Sequence, residues 1–133
     1  MPRRRRLRKV VAPPNFKGFK PYGGKNMNPQ KVELLYEEYE AIKLADYDLM
    51  NHQEACVLMG VSRPTFARIY ESARRKIAQA LVGSMEIVAE YGNAYFEKNW
   101  YNCNCCDARF NFPKPQSDGN CPLCQSEEIS KLN

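Results

Sequence analysis

The 133-residue sequence has one histidine, His52, and no acidic residue among its first thirty. It has no apolar run near the ~20 residues that a membrane-crossing helix requires. The opening "MPRRRR" is not followed by an apolar stretch, so it does not read as a secretory signal. Together these absences predict a cytoplasmic protein with no membrane partner. "GFKPYGGK" lacks the spacing of a phosphate-binding loop. His52 follows a predicted helix cap and is expected to be exposed. No nucleophile–base pair is evident, so the chain is expected not to be an enzyme. No heptad repeat is present, so any homodimer must use a globular surface rather than a coiled coil.

Charge is present but unevenly spread. The net charge is +5, yet residues 1–30 carry nine Lys/Arg and no Asp/Glu, while residues 31–133 carry eleven against fifteen. A basic arm on a mildly acidic body points to a polyanionic partner. The arm also holds five of the nine prolines. "APPNFKGFKPYGGKNMNP" therefore reads as extended and mostly irregular, with Phe16, Phe19 and Tyr22 available to pin it to the body.

Three regions follow: a basic arm over 1–30, a mainly α helix-turn-helix domain over 31–83, and short strands with a cysteine module over 84–133. Residues 31–82 are expected to be helical. Leu35, Tyr39, Ile42 and Leu44 form a rough apolar stripe that ends at "ADYD". A short helix fits "NHQEACVLM", with Asn51 as its cap, Glu54 completing a capping box, and Ala55, Leu58 and Met59 facing inward. Gly60 supplies the left-handed turn. Ser62 caps the next helix, Pro64 is tolerated in its first turn, and Phe66, Ile69, Ala73, Ile77 and Leu81 mark its buried face up to Gly83. "MEIVAEYG", "YFEKNWYN" and "ARFNF" read as strands, and "PKPQSDGN" as a turn.

The short helix, tight turn and longer helix meet the needs of a helix-turn-helix, in which the first helix braces the second and the second enters the major groove. An ordinary helical hairpin would share this pattern. The charge separates the two readings: residues 62–81 carry Arg63, Arg68, Arg74, Arg75 and Lys76 against Glu71 alone. Arg63, Thr65 and Arg68 are the candidates for base edges, with Pro64 and Ala67 offering apolar contact. Arg75 and Lys76 lie farther along and suit phosphates, and Arg74 suits either a phosphate or Glu71. Arg3, Arg4, Arg5 and Arg6 suit an adjacent minor groove.

"YEAIKLAD", "GVSRPTFARI" and "ARRKIAQALVGS", with the "MPRRRR" start, resemble a family of small bacterial and archaeal proteins known as domain of unknown function 134. The resemblance spans roughly residues 1–90 and is carried by fairly specific motifs. It implies a predicted DNA-binding protein whose helix-turn-helix is similar to region four of sigma-70 factors, hence a transcription regulator with double-stranded DNA as partner. It implies no particular target.

The C-terminal region holds five of the six cysteines. Cys103-x-x-Cys106 and Cys121-x-x-Cys124 have the spacing of a zinc ribbon, in which each pair forms a tight knuckle and two knuckles complete a tetrahedron. Four thiolates leave no open position, which favours structural zinc over catalytic zinc. Iron in a rubredoxin-like site would use the same sulfurs, and an iron–sulfur cluster is a further alternative. Those alternatives would make the chain an electron-transfer protein. A third reading is an interaction module for RNA polymerase or RNA. Cys105 is a spare thiol or a redox sensor beside the metal, and Cys56 is expected to be a small core residue.

Overall fold

The computed structural model describes residues 7–23, 29–96, 99–111 and 119–132. The chain runs through β1 (Arg8–Lys9), β2 (Gly18–Phe19), β3 (Lys31–Leu35), α1 (Tyr36–Ile42), a π-helical turn (Lys43–Tyr47), α2 (His52–Met59) and α3 (Arg63–Gly83). It continues with β4 (Glu86–Glu90), β5 (Ala94–Tyr95), β6 (Tyr101–Cys103), β7 (Arg109–Phe110) and β8 (Ile129–Lys131).

One expectation fails at the start of the predicted helical region. Lys31–Leu35 is a strand, with Val32 and Leu34 buried and Lys31 and Glu33 exposed. That alternation is the period of a half-buried strand. β3 lies parallel to β4, from Lys31 opposite Glu86 to Leu35 opposite Glu90. Parallel neighbours need a long crossover, and here the crossover consists of α1, the π-helical turn, α2 and α3. The strand that follows Gly83 thus closes the sheet of the helical unit rather than opening the cysteine module. β2 joins the other edge of β4, antiparallel. A Cβ on Gly18 would lie 2.2 Å from the Ile87 carbonyl oxygen, so this close pairing requires glycine. β1 pairs in parallel with β5.

α1 has no capping side chain at Leu35. Instead the Leu35 N–H donates to Glu38 Oε1 at 2.8 Å. α2 begins as its sequence dictates: Asn51 Oδ1 accepts from the Glu54 N–H at 2.8 Å, and Glu54 Oε1 accepts from the Asn51 N–H at 3.3 Å. Gly60 ends it at φ 66°. Ser62 Oγ then accepts from the Thr65 N–H at 3.2 Å and starts α3. The main core joins Ala41, Leu44, Ala55, Cys56, Met59, Phe66 and Ile69. Cys56 is buried as expected, whereas Leu58 is exposed. Along α3 the inward face runs through Phe66, Ile69, Ala73 and Ala80, while Leu81 is 75% exposed. α3 packs on β3 and β4, and small Ala80 is buried near its end. α3 ends at Gly83, and Ser84 after it takes the left-handed conformation at φ 53°.

A second cluster, Val10, Tyr36, Ala94 and Phe96, buries the arm against the body. Phe16 reaches Tyr39 with ring centroids 5.9 Å apart. Tyr22 is exposed and has no packing partner among the described residues. Antiparallel β7–β6–β8 form the third sheet, whose Cys103 and Phe110 join Cys121 in a small buried cluster. Phe112, the end of the predicted strand "ARFNF", and the first six residues of the predicted turn, 113–118, lie outside the described residues.

Candidate metal centre and basic helix face

β6 delivers Cys103 at its end, and the turn after it brings Cys106 back to the same point. The Asp107 N–H donates to the Cys103 carbonyl at 3.0 Å, and the Cys103 N–H donates to the Ala108 carbonyl at 2.8 Å. The second knuckle closes in the same way, with the Gln125 N–H donating to the Cys121 carbonyl at 2.8 Å. Asp107 and Gln125 occupy matching positions one residue past each knuckle, and both take positive φ, 61° and 60°.

The two knuckles face each other. Cys103 Sγ lies 3.5 Å from Cys124 Sγ, Cys106 Sγ lies 3.5 Å from Cys121 Sγ, and all four sulfurs fall within 4.8 Å of one another. A disulfide requires about 2.05 Å, so these are four separate thiols. Around zinc, with sulfur at about 2.3 Å, tetrahedral geometry sets sulfurs about 3.8 Å apart. The donor set therefore fits a metal ion of that size and softness.

The local electrostatics support the fit. The N–H groups of Cys106 and Cys105 point at Cys103 Sγ, each at 3.4 Å, and hold that thiol below its usual range. The N–H of Cys124, and after it that of Leu123, brings Cys121 down to about 6. Cys124 goes the other way, to about 12. The Ser126 N–H lowers it, but burial, and after it Cys103, Cys106 and Cys121, raise it by more. Four neighbouring thiols cannot all ionise against one another's charge, and a bound cation removes that conflict. Cys105 is exposed and does not belong to the four-sulfur group.

The basic residues of α3 take four different dispositions. Arg63, Pro64 and Arg68 are exposed on the first two turns, Ala67 is half-buried, and Thr65 lies beside Ser62, with its Oγ1 2.9 Å from the cap's hydroxyl. Among the described residues neither Arg63 nor Arg68 has an ion-pair partner. Arg75 pairs with Glu71 at 3.0 Å on the surface, so Glu71 serves Arg75 rather than Arg74. Arg74 lies over the Tyr70 ring, 5.3 Å from its centroid. Lys76 turns inward, with its Nζ 2.7 Å from Glu38 Oε1, while Ser72 donates to Glu38 Oε2. Buried Glu38 is thus satisfied from α3, and Lys76 braces the helix against α1. No sequence signal separates Lys76 from Arg75, because only the docking of α1 decides which of them meets a carboxylate. Arg3–Arg6 lie outside the described residues.

Sequence reasoning passed over Arg109. Its Nη1 donates to the Pro14 carbonyl at 2.7 Å and to the Phe16 carbonyl at 3.1 Å, and its guanidinium lies 5.3 Å from the Tyr36 ring centroid. A lone arginine in "DARF" gives no hint of partners more than ninety residues away.

A helical unit closed by a mixed sheet, followed by a strand-built cluster of four cysteines able to hold a metal ion, defines the class of molecule. The chain belongs to the family described as "Protein of unknown function DUF134", whose model matches residues 1–97. It is similar to a "UPF0251 protein" of Chloroherpeton thalassium, 39% identical over 99% of this chain and 87% of that one. A "UPF0251 protein" of Methanothermobacter thermautotrophicus is 37% identical over 100% of this chain and 69% of its own. Another, from Caldicellulosiruptor bescii, is 40% identical over 97% and 87%. No solved structure matches the chain. The family match ends before the first knuckle, so the reading of the four cysteines rests on their geometry. Among the described residues no helix is long and apolar enough to cross a membrane.

Proposed function

We propose that this chain is a non-enzymatic, double-stranded-DNA-binding transcription regulator. In this reading α2 and α3 form a helix-turn-helix, and α3 enters the major groove by its N-terminal half. The observation that carries the reading is the division of labour on the first two turns of α3. Phe66 and Ile69 are buried under α2, while Arg63, Pro64 and Arg68 stand exposed on the other side. Arg63 and Arg68 read base edges, since arginine suits the two acceptors of guanine. Pro64 and Ala67 supply apolar contact, and Thr65 reaches a base only by giving up its contact with Ser62. Arg75 exchanges an exposed, weak pair with Glu71 for a phosphate. Lys76 positions α3 through Glu38. Arg3–Arg6 extend the contact into a minor groove.

The four cysteines hold structural zinc in this reading, and the ribbon is a docking surface for RNA polymerase. Metal analysis with an absorption spectrum tests the first part: one zinc per chain and a colourless protein are expected. A coloured, iron-loaded protein would instead support electron transfer. A pull-down with and without residues 95–133 tests the second part.

Selection of bound sequences from random duplexes, with the metal retained, tests the function itself. An enriched sequence is expected, and sedimentation with that duplex reports whether a homodimer binds. Affinity should fall steeply with salt, because each phosphate contact contributes about 0.9 to the log–log slope. Arg68→Ala should weaken binding at least about fivefold, the lower end for losing a bidentate base contact. No enriched sequence, together with salt-independent binding, would overturn the reading.

A further inference from the structure

We infer that Arg109 is a positioning residue that couples the four-thiolate centre to the basic arm, so that metal occupancy sets how the arm is held and how tightly it engages nucleic acid. The nucleic-acid half rests on the function proposed above, while the link between centre and arm does not.

Arg109 stands three residues after Cys106, and the first knuckle sets its place. The hydrogen bonds of Cys103 with Asp107 and Ala108, and the left-handed backbone of Asp107, fix the turn from which β7 departs. From there Arg109 Nη1 takes the carbonyls of Pro14 and Phe16, and its guanidinium lies against Tyr36, the first residue of α1. Asp107 adds a contact to Lys17 at 2.7 Å. That pair is half exposed and contributes little. The Arg109 bonds are charge-assisted and largely sheltered from water, and they are the stronger of the two attachments.

The arm needs this donor. Pro13 and Pro14 have no N–H, so they bring carbonyl acceptors but no backbone donors to the stretch between β1 and β2. Pro14 is fully buried, and a buried carbonyl without a partner is unfavourable. The segment that Arg109 grips lies where the arm passes from its pairing with β5 to its pairing with β4.

The grip depends on the centre because the ribbon has almost no other core. Among the described residues only Cys103, Phe110 and Cys121 are buried there, and two of these are ligands. For a segment this small, the free energy of metal binding is the free energy of folding. Without the metal, the turn that aims Arg109 is lost. β1 and β2 still hold the arm, so it loosens rather than detaches.

The test uses the full metal-loaded chain, and reads amide hydrogen exchange over residues 8–19, bound metal, and affinity for the selected duplex at several salt concentrations. Arg109→Ala should keep its metal yet raise exchange at Val10, Gly18 and Phe19 about tenfold or more, as chelation does in the parent. Chelating the variant should add no further exchange in the arm, because the two perturbations act through one link. Affinity should fall several-fold with a shallower salt slope, since the arm's cations then displace fewer counterions from the duplex. A merely structural role for Arg109 would leave that slope unchanged.

Arm amides in Arg109→Ala that keep parental protection while the metal stays bound would overturn the coupling. Full recovery of affinity by Arg109→Lys with the arm still loosened would also overturn it, because a direct phosphate contact would then explain the effect. A loosened arm in a chain that binds no duplex would preserve the link and remove the nucleic-acid half.

Discussion

Individual side chains carry the sharpest consequences. Serine in place of Cys103, Cys106, Cys121 or Cys124 should abolish stoichiometric metal binding, since each sulfur is one of four ligands. Cys105→Ser should retain the metal, and elemental analysis of the five variants checks the assignment. Glu40 makes a different demand. It is fully buried, and one of its oxygens has no hydrogen-bond partner among the described residues. Burial raises its carboxyl above the ordinary range, Lys43 and the Val11 N–H oppose the shift, and Asp48 adds to it. In acid, both the folded and the unfolded chain hold the proton. As pH rises, the unfolded chain releases it first, so stability declines through and above the ordinary carboxylate range. Glu40→Gln should flatten that decline, measured as urea midpoints at about pH 5 and about pH 7.5. The buried glutamates of "YEEYE" were not legible in the sequence. Their partners come from three separate parts of the chain: the Asn93 N–H for Glu37, Ser72 and Lys76 of α3 for Glu38, and the Val11 N–H of the arm for Glu40.

At the scale of elements, α2 and α3 are local structures with local causes. Asn51, Glu54, Gly60 and Ser62 act on backbone groups within four residues of themselves, so their roles were legible without knowing the fold. Ser62→Ala should cost about 1 kcal/mol through the lost cap. Gly60→Ala should cost about 1–2 kcal/mol, because φ 66° is strained for alanine even though a Cβ there meets nothing closer than Tyr95 Oη at 3.9 Å. Denaturation midpoints measure both. The strand Lys31–Leu35 shows the opposite case. "KVELLYEEYEAI" alternates for five residues and then turns helical. The helical stripe that began at Leu35 concealed the strand, whose pairing partner is more than fifty residues away. Leu81 was misplaced for a related reason: periodicity marks a face but cannot choose between adjacent positions at its edge, and the packing buries small Ala80 rather than Leu81.

At the scale of the whole molecule, the ribbon and the helical unit should respond differently to loss of metal. Trp100 is the only tryptophan and sits where the ribbon begins, 6.5 Å from Phe96 between ring centroids. Chelation should shift its fluorescence while the helical circular dichroism changes little, since α1–α3 have their own core. Simultaneous loss of both signals would mean that the ribbon holds the helices together.

The sequence by itself determined what depends on neighbours along the chain: the two capped helices, the tight turn between them, the cationic composition of α3 and the two C-x-x-C knuckles. Each rests on hydrogen bonds or bond geometry spanning a few residues. Only the tertiary structure decided which parallel strand closes the helical unit, that Lys76 faces Glu38 while Arg68 stays free of ion pairs among the described residues, and that Arg109 grips the arm. Those outcomes depend on which surfaces meet across the fold, and identical side chains acquire different partners once they do.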